Sequence, residues 1–185
     1  LEFRRVLFRS DPEMISRAET ALAAGRFLQE FVPCPKDLIE TVAGHVGNDE
    51  HATHDAQVKR NRDLYGYSDW YEWCINNWGT KWDVEDQDAN RVDANNLETS
   101  FDSAWAPPCT AYERLCELGF EITADYYEPG MGFVGKWSGD PVDYTDDYYE
   151  LSGQTSETVR GLIGDELDDQ FGIADDMAMW EEEDD

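Results

Sequence analysis

The chain is 185 residues long and carries 42 Asp and Glu against 14 Lys and Arg, a formal net charge of −28. This length holds one domain with a real hydrophobic core, and an aromatic content of 13% excludes wholesale disorder. The charge argues against direct binding to nucleic-acid phosphate, which needs Lys and Arg to displace counterions, and no stretch approaches the roughly 20 apolar residues of a membrane-spanning helix.

The first ten residues, Leu1-Glu2-Phe3-Arg4-Arg5-Val6-Leu7-Phe8-Arg9-Ser10, read like the translation of a sequencing-adapter oligonucleotide and are set apart as foreign to the fold. The natural start of the protein is then expected to be missing, although Phe3, Val6 and Phe8 can pair as a strand. Without this segment, which holds three Arg and one Glu, the charge is −30.

Asp11-Pro12-Glu13 supplies an N-cap and a first-turn proline, and Met14, Ile15, Ala18 and Leu22 recur at helical spacing, so a helix is expected from about Pro12 to Ala24. Val32-Pro33-Cys34-Pro35 forces an extended segment, followed by a short helix from Lys36 to Val42. Gly44 to Asp55 reads as a loop. Asp69 and Glu72 stand at capping-box spacing ahead of an apolar stripe of Trp70, Trp73, Cys74 and Trp78 that ends at Gly79. A strand is expected over Lys81 to Val84, then a long polar turn or weak strand over Glu85 to Asn96.

From Leu97 the period becomes two, with Leu97, Thr99, Phe101, Ser103 and Trp105 sharing one face. Pro107-Pro108 closes that strand and opens a helix capped at Gly119. Phe120, Ile122, Ala124 and Tyr126 alternate again, and Pro129-Gly130 is the pair a type II turn favours. Strands over Gly132 to Trp137 and Tyr144 to Leu151 follow, giving a largely antiparallel sheet with helices on one side. The organisation expected is a foreign segment at 1–10, an α+β domain at 11–151 and an acidic tail at 152–185 with short helical pieces.

Three blocks carry a family resemblance: Asp69 to Asp83, Phe101 to Pro108 and Tyr126 to Phe133. Their most specific motifs are Trp78-Gly79-Thr80-Lys81-Trp82 and Glu128-Pro129-Gly130-Met131-Gly132-Phe133. Over roughly Phe27 to Leu151 the chain resembles the YubB-like proteins of phages and conjugative plasmids. The resemblance implies a ferredoxin-like βαββαβ frame whose first strand is absent here or replaced by the adapter residues. The family is largely without an assigned activity, so no catalytic role is carried over.

Read for chemistry, the sequence offers no nucleophile elbow, phosphate loop, dinucleotide fingerprint or zinc helix. His45, His51 and His54 share a polar region with Asp49, Glu50 and Asp55, but a solvated loop is the better reading, so no metal and no cofactor is expected. Cys34, Cys74, Cys109 and Cys116 are irregularly spaced and read as free thiols of a cytoplasmic protein. Lys59, Arg60 and Arg62 read as a solvated helical face.

Two candidate sites remain. One is an aromatic pocket of Trp78, Lys81, Trp82, Trp105 and Glu128 for a small molecule or an enzymatic reaction, set against the plainer reading that such rings are core. Glu128, beside two tyrosines, is the acid singled out for a shifted pKa. The other is the acidic C-terminal surface of Asp165, Glu166, Asp168, Asp169, Asp175, Asp176, Glu181, Glu182 and Glu183. Residues 140–185 hold seventeen acids and a single base, Arg160. Such a surface keeps the chain soluble, mimics nucleic-acid phosphates toward a basic host or phage protein, or docks on that partner with Met177 and Trp180 as anchors.

Overall fold

A computed structural model describes residues 2–47, 51–85 and 88–183, with side chains described for 5–47, 51–85 and 88–182. Six strands form one open sheet: β1 (Glu2–Arg9), β2 (Asn90–Arg91), β3 (Asn96–Asp102), β4 (Glu121–Glu128), β5 (Phe133–Gly139) and β6 (Tyr144–Glu150). Their order across the sheet is β2-β3-β1-β4-β5-β6, and every neighbouring pair is antiparallel. The protein is therefore α+β.

The segment set apart as foreign is the central strand. β1 pairs with β3 on one side and β4 on the other, with Phe8 opposite Leu97 and Ile122. Its alternation places Val6 and Phe8 in the core, both fully buried, and Phe8 meets Phe27 at 4.9 Å between ring centroids. A strand is selected here by apolar residues two apart and by free backbone groups on both flanks, and this segment supplies the first.

Helices α1 (Pro12–Ala23), α2 (Phe27–Phe31), α3 (Lys36–Ile39), α4 (His51–Tyr65), α5 (Trp70–Asn77) and α6 (Cys109–Glu117) precede β4. α1 starts where the Asp11 carboxylate accepts from the backbone N–H of Glu13 and Met14, at 2.9 and 3.0 Å. α5 starts on a shifted capping box. The Asp69 carboxylate accepts from Glu72 N–H, while Glu72 reaches one residue further back, to Ser68 N–H at 2.8 Å.

The main core lies between these helices and the sheet face that bears Val6, Phe8, Leu97, Phe101, Ile122, Ala124, Tyr126 and Trp137. The apolar stripe of α5 is covered there: Trp73, Cys74 and Trp78 are all buried.

Helices pack on the opposite face too, contrary to the one-sided arrangement expected. α7 (Val159–Ile163), α8 (Asp165–Phe171) and α9 (Ile173–Glu183) bury a second core in which Val159, Ile163, Leu167, Phe171 and Ile173 meet Tyr127, Val134 and Leu151. Tyr127 and Phe171 lie 5.5 Å apart, so the acidic segment is anchored by its apolar residues. No helix among the described residues is long and apolar enough to cross a membrane.

Four local expectations change. His51 to Asp55 opens α4, a helix with no apolar stripe to reveal it, whose one buried side chain is Asn61. Asn61 donates to Thr41 Oγ1 and to the Ser68 carbonyl, so the helix is held by polar bonds. Lys81 to Val84 is irregular and not a strand, because its groups serve the turn described below. The short helix after Pro35 stops at Ile39. In the β4–β5 hairpin the positive φ falls at Gly132 (+68°) and not at Gly130, which closes a wider turn through Gly132 N–H to the Glu128 carbonyl at 2.9 Å.

Replacing Phe8 by Ala should cost about 3–5 kcal/mol in urea denaturation, and a chain starting at Asp11 should lose its cooperative transition. An unchanged midpoint for that shortened chain would show that β3 and β4 do not need the strand between them.

Candidate functional site

The segment Trp78-Gly79-Thr80-Lys81-Trp82-Asp83 behaves as one built unit. The Trp78 indole is buried and donates its Nε1–H to the Val32 carbonyl at 2.8 Å, holding the proline-spaced segment. Gly79 has φ +82°, and a Cβ there would sit 3.2 Å from the Pro107 carbonyl oxygen, so glycine is required by both conformation and contact. Thr80, fully buried, donates to the Ala104 carbonyl at 3.1 Å. Asp83 turns back to cap α2, accepting from Leu28 and Gln29 N–H at 2.7 and 2.8 Å.

Between these fixed points Lys81 and Trp82 project outward. The Lys81 ammonium lies over the Trp82 ring, 3.9 Å from its centroid, and over the Trp105 ring at 3.6 Å. The two indoles are 58% and 63% exposed, so they form a surface clamp and not a core. Trp105, expected on the buried face of the strand, lies beyond the end of β3 at φ +69°, which turns its ring out. Ser103 Oγ donates to the Ala106 carbonyl at 2.8 Å and closes this loop. A hollow of about 370 Å³ beside the clamp is lined by Trp82, Asp83, Glu85 and Asp102.

Of the five residues proposed for an aromatic pocket, the structure brings Lys81, Trp82 and Trp105 together. Trp78 stands behind them in the core. Glu128 belongs to the β4–β5 hairpin, two strands away across the sheet from β3, where its carboxylate accepts from Gly130 N–H at 3.0 Å.

The carboxyls pushed upward are Asp83 and Asp125, each by burial. For Asp83 the bonds at the start of α2 act against this. Asp125 is 3% exposed, and its Oδ1 has no hydrogen bond within the protein; the Lys136 ammonium stands 3.9 Å away and is itself bonded to Glu166 of α8 at 2.8 Å. Sequence alternation places Asp125 on the polar side of β4. Its nearest ion partner there among the described residues is Lys136, which is paired in turn with Glu166 of α8.

Cys34 and Cys74 are buried thiols, Cys34 Sγ donating to the Pro35 carbonyl at 3.9 Å; the neighbouring Cys34 thiol and burial push Cys74 upward, and burial raises Cys109 to about 12 and Cys116 to about 11. Among the described residues no group of three or more His, Cys, Asp or Glu is placed to hold a metal. The His45 and His51 rings stack edge to face at 4.7 Å, and His54 Nε2 bonds the Val42 carbonyl; Asp49 and Glu50 lie outside the described residues. Lys59, Arg60 and Arg62 occupy an exposed face of α4.

The acidic candidates divide. Asp168 is 2% exposed: it pairs with Arg160 Nε at 2.7 Å and accepts from Ala174 N–H, so it is a structural residue and leaves the proposed surface. Asp165 and Asp169 share Arg160, Glu166 meets Lys136, and Glu181 accepts from Ser156 N–H and Oγ. Asp175 and Glu182 are exposed and Asp176 is half-buried; among the described residues none of the three forms an ion pair. The side chain of Glu183 lies outside the described residues. Met177 packs into the second core, while Met179 and Trp180 face outward, so Trp180 and not Met177 is the available anchor.

Fold and site thus define an α+β protein with an open six-stranded sheet, a tryptophan clamp and an acidic helical face. No family model matches the chain, and no curated protein matches it. A solved structure with partial similarity is protein api92 from Yersinia pseudotuberculosis, of family DUF1281. It has a TM-score of 0.39 and 19% identity over 77% of this chain. The chain spans 55% of the length of that protein.

Asp125 gives a pH prediction. Its folded pKa lies above the ordinary 3.8, so the folded state binds that proton more tightly than the unfolded chain. The contribution to stability is therefore lost as pH rises from 3.8 through the folded value. Asp125→Asn should stabilise the protein at pH 7 by on the order of 1 kcal/mol, and the gain should vanish once the pH falls below the ordinary aspartate range. Denaturation midpoints of both forms across that range test this; a gain that persists undiminished in acid would assign the effect to packing.

Proposed function

We propose that the protein is a non-enzymatic binding module of a phage or other mobile element, acting in the host cytoplasm through its acidic surface on a basic host or phage protein. One observation carries the reading: on α9, Asp175, Asp176 and Glu182 surround the exposed Met179 and Trp180 on a helix held in place by its own core. Fixed carboxylates around an exposed aromatic residue combine electrostatic steering with an anchor, the pairing that productive interfaces use. Because α8 and α9 are ordered against the sheet, their charges hold a constant spacing, as a mimic of nucleic-acid phosphates requires.

The strand order supports a ferredoxin-like frame for this module. Elements β1, the first helices, β2, β3, α6 and β4 follow the βαββαβ succession, with β1 between β3 and β4. β5 and β6 extend the sheet beyond it. The motif blocks that resemble the YubB-like proteins fall within this frame and the β4–β5 hairpin, and the phage or plasmid setting rests on that resemblance.

Shortening the chain after Leu151 would expose Tyr127 and Val134, so charge replacement is the cleaner test. The triple variant D175N/D176N/E182Q, compared with the unaltered protein in capture from bacterial lysate, should lose a basic protein that duplex DNA competes off. Retention by the unaltered protein should weaken steeply between low and physiological salt. Equal capture by both forms at every salt concentration would refute the reading.

A further inference from the structure

The clamp on Lys81 has features that structural packing alone does not call for. Two large indoles stay more than half exposed although the main core begins at their neighbours Trp78 and Phe101. Trp105 keeps a left-handed backbone at φ +69°, a conformation that costs an L-residue with a bulky side chain roughly 1–2 kcal/mol. The two loops are bolted together through Gly79 against Pro107, Thr80 on Ala104 and Ala111 N–H on the Trp78 carbonyl. The rings are thus held apart at the spacing one ammonium group fills, since a single Nζ sits in contact range of both. Beside them Asp83, Glu85 and Asp102 line a hollow large enough for an alkyl chain.

We propose that Trp82 and Trp105 clamp the alkylammonium group of a lysine side chain, free or N-methylated, presented by a basic partner, and that Lys81 is the internal occupant it displaces. Facing aromatic rings recognise such cations through their electron-rich faces, each contact being worth about 0.5–1 kcal/mol when exposed and about 2 when desolvated. The carboxylate-lined hollow adds attraction for the same charge and none for an anion. The cation seated on both rings is an ammonium group, which makes a lysine side chain the partner this spacing matches. Among the described residues none of α8 or α9 lines the clamp or its hollow, so this inference stands apart from the role given to those helices.

The competitor role of Lys81 sets the test. The indole N–H resonances of Trp82 and Trp105, assigned with W82F and W105F, are followed by NMR while the full chain is titrated with tetramethylammonium chloride. A short peptide carrying one trimethyl-lysine is the second arm, and sodium chloride is the control. Saturable shifts at both indoles are expected, with the peptide binding more tightly than the free cation. W105A should weaken the peptide by about tenfold, and K81A should tighten it by about threefold. A merely structural Lys81 would give the opposite sign, weakening binding when removed, and that result overturns the proposal. So does a shift that sodium chloride reproduces, or binding of tetramethylammonium without binding of the peptide. Unchanged unfolding midpoints for K81A keep the comparison valid whatever W105A does to the fold.

Discussion

The structure depends on the slot between β3 and β4. Each of those strands presents a row of backbone N–H and C=O groups to its neighbour, and burying such a row unpaired would cost more than a domain of this size can spare. A strand must fill the slot, and what it needs is modest: extended backbone, and apolar residues two apart toward the helices. Val6 and Phe8 meet the second requirement, and pairing on both sides meets the first. The helices on the main face then close over Phe8, where Phe27 and Phe120 complete an aromatic cluster.

Around this strand the sheet is used unequally. The face toward α1, α2, α5 and α6 is a conventional core. The other face is covered over β4 and β5 by α7–α9, while β6 stays largely exposed, and that cover changes the chemistry beneath it. Asp125, Lys136 and Glu166 form a chain of alternating charge at the boundary of the second core, with the Asp125 Oδ1 lacking a hydrogen bond. An acidic segment folds there because its few apolar residues recur at helical spacing, while Arg160 neutralises the acids that crowd around it.

The tryptophan-rich turn shows how a dense motif divides its labour. Trp78 serves the core, Gly79 and Thr80 the contact between loops, and Asp83 the start of α2, leaving Lys81 and Trp82 outside with Trp105. A chain that commits four residues of six to holding a turn rigid leaves the remaining two in a defined position. Rigidity of this kind is what recognition of a small cation requires.

Much of this was legible in the chain. Helices α1, α5 and α6, strands β3 to β6 and the acidic helical pieces follow from caps, period and turn residues that act within a few positions. The first turns of α4 were not legible, because a helix held by Asn61 has no apolar stripe and only the charged face of Lys59, Arg60 and Arg62 marked it. The placing of Lys81, Trp82 and Trp105 was legible only as composition, since a period of two sends Trp105 inward and only its positive φ turns it out. Local sequence determined which segments become helix or strand and which residues are apolar enough to be buried. Tertiary structure alone decided that β1 is central, that Asp125 and Asp168 are buried while Asp175 is not, and that Trp82 and Trp105 face solvent while Trp78 does not. Those outcomes depend on which surfaces meet across long stretches of chain, and no short-range pattern encodes that.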